Sequence, residues 1–564
     1  MNSKIDCLLI GHNEMDFREY EGIIRESGTR SGAYRDLNLN FLRCDNSIYH
    51  ASAVFNRFFP EVNGVGDGFR PLGIMETFSA TLAYLGTYLH RRGLGFDYVH
   101  SFQQGKEELA RKLKELSPLT VAVTTTLYVA VYPVLEIVEF IRRHRPETRI
   151  IVGGPFIASQ ARLDDAGVLD YLFRTMAADF YVDSSQGEAT LVRLITALKN
   201  RLTPEDIPNL YYRSGNRYRK TYSREESNDL SQNPVDWTLF SRELDQCAAV
   251  RTSVSCPFSC AFCGFPQHAG AYRTMDIDVL ERELSLLHQA GPAASLYFID
   301  DTFNVPKNRF KEILRRLIRK GYPGQWHAHL RCQFLDRETA ALMKQSGCEG
   351  VFLGLESGSN RILANMNKHV KVEHYLEGIA LLKDFDIPVF GCFIVGFPGE
   401  TQETFTETLQ FIEASKIDFY RAQLWYADPL TPVYRERARY RLTGAQFKWS
   451  HGTMDAETAC DLVDHLFLTI KNPTWLPLYH FDFVTLFHLL RRGLGWGWIK
   501  TFLTSFNNGI AEKLHHPSGH EISRESLTQL KTSLLAVPAK TPGCQKTARP
   551  DKTKPDKTKP DKTS

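Results

Sequence analysis

The sequence predicts an α/β chain in three parts: an open parallel sheet at the N-terminus, a partial (β/α)6 barrel in the middle and a mainly helical C-terminal region. Short β-branched runs alternate with helical periodicity over the first 200 residues. Six further strand candidates recur between 249 and 440, with helical patterns in the gaps. The stretch 474–506 is rich in leucine and aromatics but is interrupted by His488, Arg491 and Arg492. It reads as helical protein interior rather than a segment lying on a membrane surface.

At 564 residues the chain is too long for one ordinary core, and two or three domains are expected. The expected boundaries are 1–200, with a loop or insertion at about 12–70, a linker at 201–248, the barrel at 249–440, the helical region at 441–537 and a tail at 538–564. In the first part the strands are 5–10, 119–125 and 149–152, and helices cover 76–92 and 131–144. Gly153 and Gly154 follow the third strand directly, and Gly187 and Glu188 open an amphipathic stretch running to 200. In open α/β sheets such loops at the carboxyl ends of strands bind ligands, although the same glycines also serve plain tight turns. Gly64, Gly66 and Gly68 have neither a preceding strand nor a following Lys-Ser or Lys-Thr, so they are not a phosphate loop. The linker is punctuated by Pro204, Pro208 and Pro234 and contains a stretch suited to a small hairpin.

The barrel strands are expected at 249–255, 295–300, 326–330, 350–355, 389–396 and 419–425, with helices such as 277–290, 307–319, 336–346 and 402–415 between them. The active site of such a barrel lies at the strands' C-terminal ends. The tail repeats Pro-Asp-Lys-Thr-Lys, has no apolar content to offset ordering entropy, and is expected to be disordered.

A formal charge of +3 gives no reason to expect a nucleic-acid partner. No apolar stretch approaches the roughly 20 residues that span a bilayer, and no secretory h-region is visible, so a cytoplasmic protein is expected. Eight of the eleven cysteines are scattered singly, which is no disulfide framework and fits a reducing compartment.

The other three, Cys256, Cys260 and Cys263, stand just after the first barrel strand in SVSCPFSCAFCGFP. A structural zinc would need a fourth ligand, for which His268 is the nearby candidate. A dithiol redox site would leave Cys256 unexplained. A [4Fe–4S] cluster on three thiolates leaves one iron free to bind a small molecule. The spacing C-x3-C-x2-C, with Phe262 before the last cysteine, resembles the signature of the radical S-adenosylmethionine (SAM) family. That resemblance implies a cluster on the three cysteines, with SAM chelated at the open iron and Phe262 in the cofactor's surroundings.

Further segments resemble the same family in chain order. LYFIDDTFNVP brings Asp300 and Asp301 to the position that meets the cofactor's amino group. FLGLESGSNRIL offers Glu356 as a cofactor contact, and GCFIVGFPGET offers Gly396 against the adenine. Each has a plainer reading, since acids after a strand cap helices and an aspartate pair can hold Mg²⁺. Residues 70–93, IIVGGPF and DFYVDSSQGEATL resemble the Rossmann-like cobalamin-binding domain that precedes the barrel in one branch of the family, which implies that Gly153, Gly154, Gly187 and Glu188 border cobalamin. The D-x-H-x-x-G loop that supplies a cobalt ligand elsewhere is absent, and His12 reads as a satisfied loop histidine.

Resemblance to that branch implies a methyltransferase using methylcobalamin and two SAM molecules on an unactivated carbon or phosphorus centre, with a low-potential electron donor such as flavodoxin or ferredoxin. The N-terminal segments IDCLLIGHNEMDFREYE and SGAYRDLNLNF are similar to phosphinate P-methyltransferases of antibiotic biosynthesis; with such a substrate, Arg331, Arg421 or His329, near strand ends, are the candidates to bind the anion, the plainer reading of each being a salt bridge or a surface position. The alternatives are a cyclase or ring-rearranging relative without net methyl transfer, and a non-catalytic cobalamin or cluster sensor.

Overall fold

A computed structural model describes residues 5–535, apart from 67, 74, 75, 164, 243, 245, 246, 292–294, 517 and 518. The expected disordered tail at 538–564 lies outside the described residues.

The first sheet has seven strands in the order Arg217–Lys220, Leu210–Ser214, Phe180–Val182, Arg149–Gly153, Thr120–Thr124, Cys7–His12, Phe96–Ser101. The last five are mutually parallel. Numbered along the chain, these five run 5-4-3-1-2, so strand order reverses beside Cys7–His12, and a crevice opens there at the carboxyl ends. Side chains alternate: Leu8, Ile10, Val121, Val123, Ile150 and Val152 pack on one face, against helices such as Tyr132–His144. Leu9, Ala122 and Ile151 face the other way, into an apolar core continuous with the barrel.

The second sheet is all parallel: Thr474–Trp475, Phe419–Leu424, Val389–Val395, Cys348–Glu356, Gln325–Leu330, Ser295–Phe298, Cys247–Val250, Thr77–Phe78. The six strands from Cys247–Val250 to Phe419–Leu424 are the predicted barrel, each within a few residues of its expected place. Phe483 and Phe487, from the helix Phe483–Arg491, pack face-on or edge-on against His327, Phe352 and Phe390 and floor its N-terminal end.

Several expectations are corrected. Of the two readings of residues 12–70, loop or insertion, the loop fails: they form the helices Phe17–Glu26, Gly32–Asn38 and Ala51–Asn63 and the hairpin Phe41–Cys44/Ser47–His50. Asp16 and Ser31 cap the first two of these helices. The segment packs on the C-terminal region, where the buried Lys513 amino group donates to the carbonyls of Asn38 and Phe41, each at 2.6 Å. The stretch 201–248 is no free connector, because its hairpin extends the first sheet. Thr77–Phe78, inside the expected first domain, pairs with Cys247–Ala248 of the barrel. The C-terminal region is helical as expected, with Ala456–Thr469, Phe483–Arg491, Trp496–Leu514 and Arg524–Ser533. No helix among the described residues is long and apolar enough to cross a membrane.

Candidate active site between sheet and barrel

The cysteines occupy the loop between the first barrel strand and the helix Phe265–Ala269. Ser255 opens the loop in the left-handed region, at φ 67°. Two long-range backbone bonds pin its middle: Ala261 donates to Met366 at 2.8 Å, and Val433 donates to Ala261 at 3.0 Å. Cys260 is buried, whereas Cys256 and Cys263 are partly open. Burial, followed by the neighbouring acids and thiols, pushes the Cys263 thiol up to about 11.

Cations flank this loop. The Arg331 guanidinium donates to Cys260 Sγ at 2.8 Å and lies 3.6 Å over the Phe258 ring. Lys368 Nζ is 5.4 Å from the Phe262 ring and forms a buried 2.8 Å ion pair with Glu356. Glu356 itself has φ 64°, after a register shift at the end of its strand. A Cβ on Gly354 would stand 2.5 Å from Glu356 Oε1, so only glycine leaves that carboxylate its position.

This donor set fits an iron–sulfur cluster. Three free thiols share one pinned loop, and a guanidinium meets one sulfur, as suits an anionic thiolate–cluster assembly. Among the described residues no three His, Cys, Asp or Glu side chains converge as a single-ion shell would require. A cubane does not need that convergence, since each thiolate binds a different iron. Zinc would need that convergence, and the His268 ring is instead turned to Arg162.

A cavity of about 660 Å³ lies beside the loop, between the crevice of the first sheet and the mouth of the barrel. Gly153, Gly154, Gly187 and Glu188 line it from the sheet side, and Arg251, Ser255 and Asp301 from the barrel side. Gly154 has φ 113°, and a Cβ there would meet the Thr125 hydroxyl at 2.9 Å. Burial raises the pKa of the Glu188 carboxyl, which accepts a hydrogen bond from Asn228.

The aspartate pair divides its roles. Asp300 is buried and accepts from the Thr252 amide at 2.9 Å, the Thr252 hydroxyl at 3.0 Å and the Ser253 hydroxyl at 2.6 Å. It therefore clamps the start of the cysteine segment and does not face the cavity. Asp301 does face it, with its carboxyl pushed up to about 7 by burial and then by the charge of Asp300.

Gly396 follows the strand Val389–Val395 directly, at φ 91°. Its Cα is covered by Trp449 and Ala459, which a Cβ would meet at 2.6 and 2.8 Å, and its carbonyl lies 3.1 Å from His451 Nε2. Like Phe262 and Glu356, it does not line the cavity. His12 packs its ring 5.4 Å from Tyr128, yet its buried Nδ1 has no hydrogen-bond partner, so it is not the satisfied loop histidine expected.

Residue spacing missed Lys368, Arg251 and Leu127. Leu127 holds φ 72° on the cavity wall and is 70% exposed. The run Thr124–Thr126 at the end of a strand was a signal for that wall.

Residues 250–412 match the Radical SAM superfamily. The chain is 27% identical over 364 residues to an uncharacterised methyltransferase of Pyrococcus horikoshii, covering 62% of this chain and 75% of the relative. It is 25% identical over 359 residues to the anaerobic magnesium-protoporphyrin IX monomethyl ester cyclase of Cereibacter sphaeroides, covering 60% and 56%. Among solved structures, TsrM from Kitasatospora setae, with cobalamin and a [4Fe-4S] cluster bound, is 20% identical and superposes with a TM-score of 0.53 over 67% of this chain and 76% of that one. The cobalamin-dependent radical enzyme OxsB, with aqua-cobalamin bound, is 14% identical and superposes with a TM-score of 0.55 over 86% and 81%. At such identities the likeness is one of fold. Residues 250–412 are a radical SAM domain, set in a chain that shares the fold of TsrM and OxsB.

Proposed function

We propose that this protein is a cobalamin-dependent radical SAM methyltransferase acting on an unactivated carbon or phosphorus centre of a small molecule. The observation that carries the reading is the shared cavity: one wall is the crevice of a doubly wound sheet and the other the mouth of the radical SAM barrel. The first sheet, mostly within 1–200, would hold cobalamin, the barrel at 249–440 the cluster and SAM, and the helices of 441–537 would brace the barrel from below. When bound, the cluster and SAM supply radical hydrogen abstraction, and cobalamin supplies the methyl group.

The protein's own residues bind and orient. Cys256, Cys260 and Cys263 would ligate three irons, and Arg331 offsets the charge gathered at Cys260. Asp301, facing the cavity, would accept the amino group of SAM, and Asp300 keeps that segment rigid through Thr252 and Ser253. Glu356, fixed by Lys368, would meet the same cofactor from the fourth strand, with Phe262 packed beside it. Gly153, Gly154 and Gly187, which line the sheet side of the cavity and pack closely on Val182 and Thr125, would border the corrin. Aromatic packing closes the barrel at its N-terminal end.

The phosphinate is the acceptor favoured by the likeness of the N-terminal segments, and a flavodoxin- or ferredoxin-like protein of the cytoplasm is the proposed donor. The cyclase relative keeps a second reading open, radical rearrangement without methyl gain. Anaerobic reconstitution with iron, sulfide and cobalamin, followed by mass spectrometry of product made with methyl-labelled SAM, separates the two. A labelled methyl in product supports the methyltransferase. Deoxyadenosine formation without methyl gain across P–H and C–H acceptors sinks it. Loss of the cluster but not of cobalamin is the expected result for Ala at any of the three cysteines.

A further inference from the structure

We propose that Arg421, on the sixth barrel strand, anchors an oxyanion of the substrate, a carboxylate or a phosphorus acid, at the side of the barrel closed by the helix Gly32–Asn38. The inference rests on the methyltransferase reading for the word substrate, and on the geometry alone for the site.

Arg421 starts from the inner face of its strand. It pairs in register with Cys392, while the next residue of the fifth strand, Phe393, points outward to Phe411 of an enclosing helix. Below it, Phe352 and Phe390 lie on the aromatic floor with Phe483. Cys392 pairs with Arg421 on one side and with Gly354, two residues before Glu356, on the other, which sets Arg421 two strands away from the strand that carries the Glu356–Lys368 pair.

The environment is unusual for a structural arginine. The side chain is 1% exposed, yet Nε and Nη1 have no hydrogen-bond partner. Its polar contact is Nη2 to Asp36, a long 3.3 Å, and Asp36 is itself a quarter exposed. Trp475 offers its ring face 4.4 Å away, which steadies a cation but accepts no directed hydrogen bond. A buried charge with unmet donors is costly unless a partner completes it. Nearby charge does not do so, because Glu356 is committed to Lys368.

The other two groups named from the sequence are spent. Arg331 donates to Cys260 and to the Lys368 carbonyl, and His329 is bonded to the Tyr297 hydroxyl at 3.0 Å. Arg421 therefore has both the charge and free donors, and a planar guanidinium suits an oxyanion more than any other small ligand. The helix bearing Asp36 closes tightly on this strand, since a Cβ on Gly32 would meet Leu424 at 2.8 Å. In this arrangement Asp36 competes with the incoming oxyanion.

The test is amide hydrogen exchange and thermal unfolding of the anaerobic holoenzyme, titrated with dimethylphosphinate or with acetate at constant ionic strength. We expect one of the two to protect Phe419–Leu424 and raise the unfolding midpoint; which one does so identifies the acid. Asp36→Asn should bind that anion more tightly, whereas Arg421→Gln should weaken it by roughly tenfold or more, the worth of a charged hydrogen bond. Equal response in Arg421→Gln and wild type, or no protection of the strand in wild type, overturns the anchor. If Arg421→Gln does not fold, wild type and Asp36→Asn still decide, since a purely structural pair predicts no tightening on losing Asp36. Anion binding without a methylated product would overturn the functional reading alone, and a methylated product without anion binding would overturn the anchor alone.

Discussion

Arg331 crosses 71 positions of sequence to donate to Cys260, a contact no spacing rule could reveal. The cysteines were legible because their chemistry needs a short local pattern. Arg331 drew notice as a basic residue at a strand end, but its partner is a sulfur rather than a substrate anion. A positive donor on a ligand sulfur favours the more negative, reduced state of a cluster. In the iron–sulfur-loaded protein, Arg331→Met should shift the cluster's reduction potential to more negative values, and Arg331→Lys should restore part of the shift. Anaerobic redox titration followed by electron paramagnetic resonance measures it; an unchanged potential in Arg331→Met would mean the contact only packs the loop. Gly396 teaches the converse, because a left-handed glycine looks alike in sequence whether it makes room for a ligand or for Trp449.

At the scale of elements, the barrel strands were legible because short apolar-rich runs recur at regular intervals between segments of helical periodicity. Phe96–Ser101 escaped because Asp97, His100 and Ser101 break its apolar run, and Phe180–Val182 because it has only three residues. Thr77–Phe78 is shorter still and is a strand only by virtue of its partner, Cys247–Ala248. The bulge at the end of the fourth strand is the local device that aims Glu356 at Lys368. Its cost falls on Gly354, where a Cβ would displace the Glu356 carboxylate from its buried pair with Lys368. Gly354→Ala should destabilise the fold by about 1–3 kcal/mol through overpacking. The shift would appear in the midpoint of chemical denaturation, and Gly354→Ala at wild-type stability would show that Glu356 can be re-aimed freely.

Across the whole molecule, the three expected parts are not separable bodies. One apolar core runs from Leu9 and Ile151 of the first sheet through Phe240 and Val250 to Phe502 and Leu530 of the C-terminal helices. The segment 12–70 is the strap that makes this so: Lys513 holds two of its carbonyls, and Arg35 pairs with Asp461 and Asp464. Sequence could not reveal the strap, because its partners lie more than 400 positions away. A piece spanning 247–535 would lose both the strap and the Thr77–Phe78 edge, leaving the Cys247–Val250 strand unpaired on one side and Phe41's partners open to water. That piece should therefore bind an apolar dye and lack a sharp thermal transition, whereas the full chain melts cooperatively. A native near-ultraviolet circular dichroism spectrum from 247–535 alone would mean that the barrel carries its own core, and that the cavity is then a joint between independent domains rather than a cleft inside one.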